Sequence, residues 1–443
     1  MFFTVSGGPF GLEGLVGSVG PGLALVLLVA TPLVYSVPET LLIGELASML
    51  PAEGGYYQWV KRAFGRFAGF LNGWLSWMYS ALDMAIYPVL FIQYARWLAP
   101  GLSRWEAWAL ALVLIWGATW LNLRGTRVVG TASGWFIALV LAPFAVLAAT
   151  ALARWLLAAA PFRLPVTPFH APGTSFAGAL GIGISQSIWN YSGWDNASTI
   201  GGEIEHAGAT YPRALARALP LVTGVYLVSI IPALALTDWT VWRDGAWPDI
   251  ARSISGPWLA LWLAVAGMVS AFALFNALLL AYSRIPLVLA QDGLLPGWLA
   301  RTDARGTPRN AVLVSAVAYS IFALIPFGGL LAGDVLLYTA ALAMEFAALL
   351  QLRRREPALR GSFRVPLGVP GLALLAVLPL LLLAGGVALE ARSREIGLTG
   401  VLVALGLAMV GPLGYVLAAP ARALADSPNG VQGSPSNRRN GPD

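Results

Sequence analysis

The sequence contains no cysteine, which excludes disulfide bonds and thiolate metal sites. Charge is scarce as well: Asp, Glu, Lys and Arg make up 11% of the 443 residues, where soluble domains carry roughly 25%. Histidine is reduced to His170 and His206, both in or beside loops, and neither is assigned a role. An enzyme embedded in a membrane needs a constellation of His or Cys, or a clustered acid pair on a loop, and none is present. No cleavable signal peptide is legible, because residues 1–19 hold glycines and Glu13 where a basic start and an apolar core belong.

What fills the chain is hydrophobic sequence, 58% of all residues. Apolar runs long enough to cross a bilayer cover about 1–19, 21–49, 67–97, 104–122, 127–158, 176–206, 214–236, 258–291, 308–326, 333–352, 370–389 and 398–418. The expected fold class is therefore an all-α polytopic membrane protein with about twelve transmembrane helices and the lipid bilayer as its main neighbour. The net charge of +6 does not point to nucleic acid. With the N-terminus placed inside, nineteen basic residues fall on cytoplasmic segments and eight on the other side. That bias predicts a cell-membrane protein with both termini in the cytoplasm. The stretch from Glu53 to Phe64 mixes aromatic and basic residues and is expected to lie along the cytoplasmic interface. The Gly-, Pro-, Ser- and Asn-rich tail, 421–443, is expected to be disordered.

Two of the apolar runs are interrupted by glycine-rich polar sequence: Ser6-Gly7-Gly8-Pro9-Phe10-Gly11, and Trp189-Asn190-Tyr191-Ser192-Gly193-Trp194-Asp195-Asn196. Unwound backbone at membrane depth survives only inside protein or beside a wet cavity. Two breaks at matching places in two halves of a chain point to a transporter's substrate site. Gly8 and Gly193 each open a five-helix block, 1–158 and 176–352, followed by two extra helices over 370–418. Five crossings per block is an odd number, so the repeats are expected to be inverted, with helices 1 and 6 broken.

The acids at membrane depth carry the chemistry. Asp83 lies near the middle of 67–97 with no basic residue close to it in its own segment, and ligand or proton contact is favoured over a structural hydrogen bond. Glu13 and Asp195 are expected to open the half-helices after the two breaks. There a carboxylate either caps free N–H groups or meets the substrate, at even odds. Three acids reaching one depth without an intramembrane Lys favour a cationic small molecule: a cationic amino acid, an agmatine-like amine or a polyamine. Trp189 is placed to stack on such a cation, with plain packing as the alternative. Asp83 or Asp195 is also a candidate carrier of a coupling proton. Glu45 and Glu203, near cytoplasmic helix ends, are expected to form gating ion pairs, and Glu345 to pair with a cytoplasmic arginine. Glu39 is ambiguous, and Glu106, Asp238, Asp244 and Asp249 read as loop residues. No cofactor and no metal is called for.

Further stretches complete a pattern: Ser36-Val37-Pro38-Glu39-Thr40, Glu45 to Pro51, Asp83 to Phe91, Trp189 to Glu203, Gln291-Asp292-Gly293-Leu294-Leu295-Pro296 and Arg305-Gly306-Thr307-Pro308. With the first break they resemble the amino acid–polyamine–organocation superfamily over about 1–420. The closest likeness is to plant polyamine uptake and L-type amino acid transporters. The resemblance implies a five-plus-five inverted repeat and alternating access. It implies that the backbone of Ser6, Gly7, Gly8, Pro9 and Phe10 binds a substrate carboxylate, and that carbonyls of Asn190, Tyr191, Ser192 and Gly193 bind the amino end. It sets Trp189 where related exchangers keep a gating tryptophan and Asp195 where they keep an acid. Two departures stand out. Only five residues precede Ser6, so either the chain's start lies upstream of Met1 or the inner half of helix 1 is cut short. Trp135 and Phe136 stand where some proton-coupled relatives keep a lysine, leaving exchange or carboxylate-based proton coupling. The expected function is a secondary transporter for amino acids or polyamines, leaning to cations. A neutral amino acid exchanger is the runner-up, and an embedded enzyme or a channel is a distant rival.

Overall fold

The computed structural model describes residues 2–158, 164, 166–325, 327–393 and 398–417. The tail expected to be disordered lies outside the described residues. The first apolar run forms two short helices, α1 (Phe2–Val5) and α2 (Leu12–Val19), with Ser6–Gly11 unwound between them. Next come α3 (Pro21–Thr31), a π-helical turn (Pro32–Ser36) and α4 (Val37–Met49), which together make one continuous span. A π turn inserts one residue into the helical ladder. Here it begins at Pro32 and runs into α4 just before Pro38, and each proline lacks the N–H that the ladder needs.

The first half continues through α5 (Gly55–Phe64), α6 (Arg66–Leu98), α7 (Arg104–Asn122) and α8 (Thr126–Ala158). Then α9 (Phe176–Tyr191) stops at the second break and is followed by 3-10 turns at Asn196–Thr199 and Gly201–Glu203. The second half adds α10 (Ala207–Leu236), α11 (Trp247–Ser255), α12 (Pro257–Tyr282), α13 (Arg284–Gln291), α14 (Arg309–Phe322) and α15 (Phe327–Arg355). The last two helices are α16 (Val369–Ser393) and α17 (Leu398–Leu417). No strand occurs among the described residues, and seven of the helical stretches are long and apolar enough to cross a membrane, beside shorter apolar helices at Arg309–Phe322 and Val401–Leu417. The protein is a polytopic helical membrane protein.

Burial separates the centre of the bundle from its rim. The apolar windows of α6 and of α12–α13 are 72% and 78% buried, whereas those of α8 and α16 are 28% buried. The outer helices keep large apolar side chains exposed, among them Leu374, Leu381 and Trp135. Patches of that kind are stable against lipid rather than water. Trp135 points outward, 77% exposed, and Phe136 packs edge-on against Phe272 at 5.9 Å. The position where a helix-5 lysine was considered is thus held by one lipid-facing ring and one packed ring.

Loop contacts sort into two ends. At one end Lys61 and Tyr57 of α5 bond Asp292, Arg62 pairs with Glu356 at 2.7 Å, and Arg284 pairs with Glu203 at 2.6 Å. At the other, Gly20 abuts Ala171, Trp97 bonds Asp249 at 2.8 Å and Arg154 bonds the Ser253 carbonyl at 3.2 Å. Each of these contacts joins segments that the charge count assigns to the same side. Gly20 has φ +88°, and a Cβ there would lie 2.7 Å from the Ala171 nitrogen, so only glycine turns the chain this tightly from α2 into α3. The α11 helix was read as loop. Its Trp247, Ile250, Ala251 and Ile254 are buried on one face, a nine-residue pattern too short to register as a span.

Candidate functional site

Each break is closed largely by its own chain. In the first, the Ser6 N–H bonds the Phe2 carbonyl at 2.8 Å and the Gly8 N–H bonds Ser6 Oγ at 3.1 Å. The Pro9 carbonyl accepts from the Trp247 indole at 2.9 Å, and Ser270 Oγ donates to the Gly7 carbonyl. In the second, the Asn190 carbonyl accepts from the Tyr226 hydroxyl at 2.7 Å and the Tyr191 carbonyl from the Trp194 indole at 2.6 Å. Tyr226 also reaches Ser6 Oγ at 2.9 Å, so one phenol touches both breaks. The second break also abuts α1, just before the first break, at Gly193, whose φ is +90° and whose missing Cβ would sit 2.8 Å from the Thr4 carbonyl. The two interruptions therefore converge inside the bundle.

A small cavity of about 20 Å³ lies at that junction. Thr4 and Val5 line it from α1, Trp189, Ser192, Gly193 and Asn196 from the second break, and Tyr79, Asp83 and Tyr87 from α6. Leu278 and Tyr282 of α12 and Asp334 and Tyr338 of α15 complete the wall, and none of these lining residues is basic. Asp83 Oδ1 accepts from the Tyr87 hydroxyl at 2.8 Å and the Trp189 indole at 3.3 Å, and its Oδ2 accepts from Tyr282 at 3.0 Å. Trp189 stacks on Tyr87 with ring centres 6.3 Å apart. The Asn196 amide extends the network, accepting from Tyr79 and donating to Tyr282, both at 3.0 Å. Asp334 is 5% exposed and its Oδ1 has no hydrogen-bond partner among the described residues.

The expected site residues divide on this geometry. Asp83, Trp189, Ser192 and Gly193 line the cavity, while Ser6, Gly7, Gly8, Pro9 and Phe10 lie behind Thr4 and Val5 and do not. Asn190 and Tyr191 also stand back. The Asn190 amide bonds the Gln186 carbonyl at 2.8 Å and the Tyr191 hydroxyl the Leu28 carbonyl at 3.0 Å. Glu13 is outside the cavity lining, and its carboxylate is occupied by the Gly11 N–H at 2.8 Å, the Gly245 N–H at 2.9 Å and the Tyr94 hydroxyl. That is the capping alternative, extended to a loop beyond the helix. Asp195 precedes a 3-10 turn rather than an α-helical half, and its side chain makes no cap hydrogen bond; its Oδ1 meets the Tyr338 hydroxyl at 3.0 Å.

Glu45 and Glu203 do form ion pairs. The Arg353 guanidinium is buried against the Glu45 carboxylate and also donates to the Val365 carbonyl at 2.8 Å. Arg284, 2% exposed, grips Glu203 through two nitrogens at 2.6 and 2.9 Å. Glu345 does not pair with a cytoplasmic arginine among the described residues: it is fully buried beside Asn72, and Arg353 of its own helix is held by Glu45. Facing inward, it is out of reach of the loop arginines.

Sequence reasoning missed Asp334, Asn196 and the four cavity tyrosines. Asp334 was lost to a boundary. The apolar run was started at 333, which makes it a helix-edge residue, but α15 begins at Phe327 and holds Asp334 two turns inside. The tyrosines give no local signal, because only the packing of α6, α12 and α15 brings their side chains to one cavity.

Comparison with known proteins agrees with this architecture. The pattern of the amino acid permease family matches residues 1–409. The chain belongs to that family. Among the permease's relatives, Polyamine transporter PUT1 of Oryza sativa subsp. japonica is 34% identical over 419 residues, covering 94% of this chain and 77% of its own. Polyamine transporter RMV1 of Arabidopsis thaliana is 34% identical over 390 residues, 86% and 77% of the two chains. Further off, Aromatic amino acid transport protein AroP of Escherichia coli (strain K12) is 26% identical over 324 residues, 72% and 69%. The chain is a transporter of the amino acid permease family, not an enzyme.

Proposed function

We propose that this permease carries small organic cations, polyamines foremost, across a cell membrane by alternating access. The observation that carries the reading is the pairing of Asp83 and Asp334 in one cavity whose lining holds no basic residue. Buried carboxylates seek a positive partner, and here an ammonium group supplies it. The cavity also lacks the feature that a carboxylate-bearing substrate requires. The first-break N–H groups that resemblance assigns to a substrate carboxylate are in part committed within the chain, Ser6 to Phe2 and Gly8 to Ser6. A carboxylate placed beside Asp83 and Asp334 would be repelled as well. The polyamine transporters among the relatives fit this preference.

The five-plus-five inverted repeat is supported by elements placed alike in both halves. Each half has a short interfacial helix before its third span, α5 at one end of the bundle and α11 at the other. Each also has a tyrosine of that third span bonded to the stretch after the break, Tyr94 to Glu13 and Tyr282 to Asn196. The Glu45–Arg353 and Glu203–Arg284 pairs then serve as a gate at the α5 end, which the positive-inside rule assigns to the cytoplasm together with both termini. Transport runs by exchange or by proton coupling through buried carboxyl groups.

One observation favours the neutral amino acid exchanger: both Asp83 oxygens are already satisfied by Tyr87, Trp189 and Tyr282, as a structural acid would be. Uptake of labelled putrescine, spermidine, arginine and leucine into proteoliposomes, with and without a pH gradient, decides between them. Saturable putrescine or spermidine uptake supports the cation reading, and uptake of leucine alone sinks it.

A further inference from the structure

Behind the cavity wall, Glu39 of α4, Asp195 after the second break and Glu345 of α15 lie inside the bundle, 0%, 1% and 0% exposed. Tyr338 lines the cavity, and its hydroxyl sits 2.6 Å from Glu39 Oε1 and 3.0 Å from Asp195 Oδ1 and accepts from the Gly193 N–H at 3.3 Å. A phenol carries one hydrogen and cannot donate to both. For both contacts to be hydrogen bonds, one of the two carboxyl groups must be protonated and donate to the tyrosine oxygen. With both ionised, one carboxylate would face a phenol lone pair with no hydrogen between them.

The surroundings supply no cation to hold two charges. Tyr35 of the π turn, Tyr56 of α5, Tyr79 of α6, Tyr211 of α10 and Glu345 are the titratable groups that face this pair. No ion pair joins Glu39, Asp195 or Glu345 to a Lys or Arg among the described residues. Glu39 Oε2, Asp195 Oδ2 and both Glu345 oxygens lack a partner of hydrogen-bond geometry. Buried carboxylates without a cationic side chain are too costly to keep ionised together, so protons neutralise part of the group.

We propose that Glu39 and Asp195 share one exchangeable proton through Tyr338, and that an ammonium group entering the adjacent cavity expels it. The inference rests on the amine reading of the cavity. The amine arrives already protonated, so its charge replaces that of the departing proton. That proton passes to bulk water on whichever side the cavity is open. Binding of amine and of proton then compete, which makes this permease a proton–amine antiporter.

The test is proton release from purified protein in weakly buffered detergent solution, followed with a pH indicator while putrescine binding is measured in parallel. Wild type is expected to release about one proton per amine bound. Glu39→Gln, whose amide mimics the protonated acid and should fold, is expected to bind putrescine with release below about a tenth of that. Tyr338→Phe, normalised to bound amine, should likewise lose release. Putrescine binding without proton release in wild type overturns the proposal, as does unchanged release in both variants. If wild type binds no amine at all, the functional reading falls instead. Infrared spectra then decide the proton site: a protonated-carboxyl band present in wild type and absent from Glu39→Gln upholds it, and its absence from wild type refutes it.

Discussion

Replacing Asp83 by Asn removes one charge from the cavity while keeping its shape. The Asn side chain retains an acceptor oxygen for Tyr87 or Tyr282, which bond Asp83 at 2.8 and 3.0 Å, so folding should suffer little. An ammonium about 4 Å from the carboxylate gains roughly 4 kcal/mol of attraction at an effective dielectric of about 20. Stripping water from the amine offsets part of this and leaves about 1.5–3 kcal/mol, the usual worth of a charged hydrogen bond. Asp83→Asn is therefore expected to weaken putrescine binding about 10- to 100-fold, measured by calorimetry or scintillation proximity on purified protein. Asp334→Asn should do the same. Because both acids face one cavity, the double variant should fall short of the sum of the two losses. Putrescine affinity within about twofold of wild type in Asp83→Asn would refute the electrostatic argument and return Asp83 to a structural role.

Three further outcomes are expected. Trp189→Ala removes a ring that stacks on Tyr87 and faces the cavity, and should cost amine affinity about 0.5–2 kcal/mol without lowering expression; unchanged affinity would reduce the ring to packing. Arg353→Ala strands the buried Glu45 carboxylate and should destabilise the protein by about 3–5 kcal/mol, read as loss of monodisperse protein on heating, whereas an intact melting profile would show that water reaches Glu45. Asp244, in the loop before α11, has its carboxyl pushed up from 3.8 to about 6 by burial. The folded state then binds more protons than the unfolded one between those values, so stability is highest below about pH 4 and declines as pH rises towards 6. Asp244→Asn should raise the melting temperature at pH 8, by up to about 3 kcal/mol of stability, and leave it unchanged at pH 4. An equal shift at both pH values would count against burial as the cause.

The legible parts of this protein were those whose cause is local. Spans announce themselves because lipid demands about twenty consecutive apolar residues, and the boundaries of α7 fell at 104 and 122 as read. The breaks were legible for a related reason: Gly8 and Gly193, with φ of +88° and +90°, adopt backbone conformations that other residues rarely reach. Asp83 stood out because a charge in an apolar run is expensive wherever the run sits. Asp334 escaped through a misplaced boundary of a few residues, since its depth was legible only once the start of α15 was known. Glu345 was misread because a sequence shows how far an acid lies from the loop but not which way it faces.

By itself the sequence determined the membrane class, the order of spans, the two interruptions and the central acid. Each follows from short-range chemistry of side chain and backbone in a nonpolar medium. Only the tertiary structure decided that Glu13 belongs to a cap, that Asp334 joins Asp83, and that Tyr338 stands between Glu39 and Asp195. Those assignments depend on the rotation and depth of helices up to 299 residues apart in the chain, which long-range packing sets and no local pattern encodes.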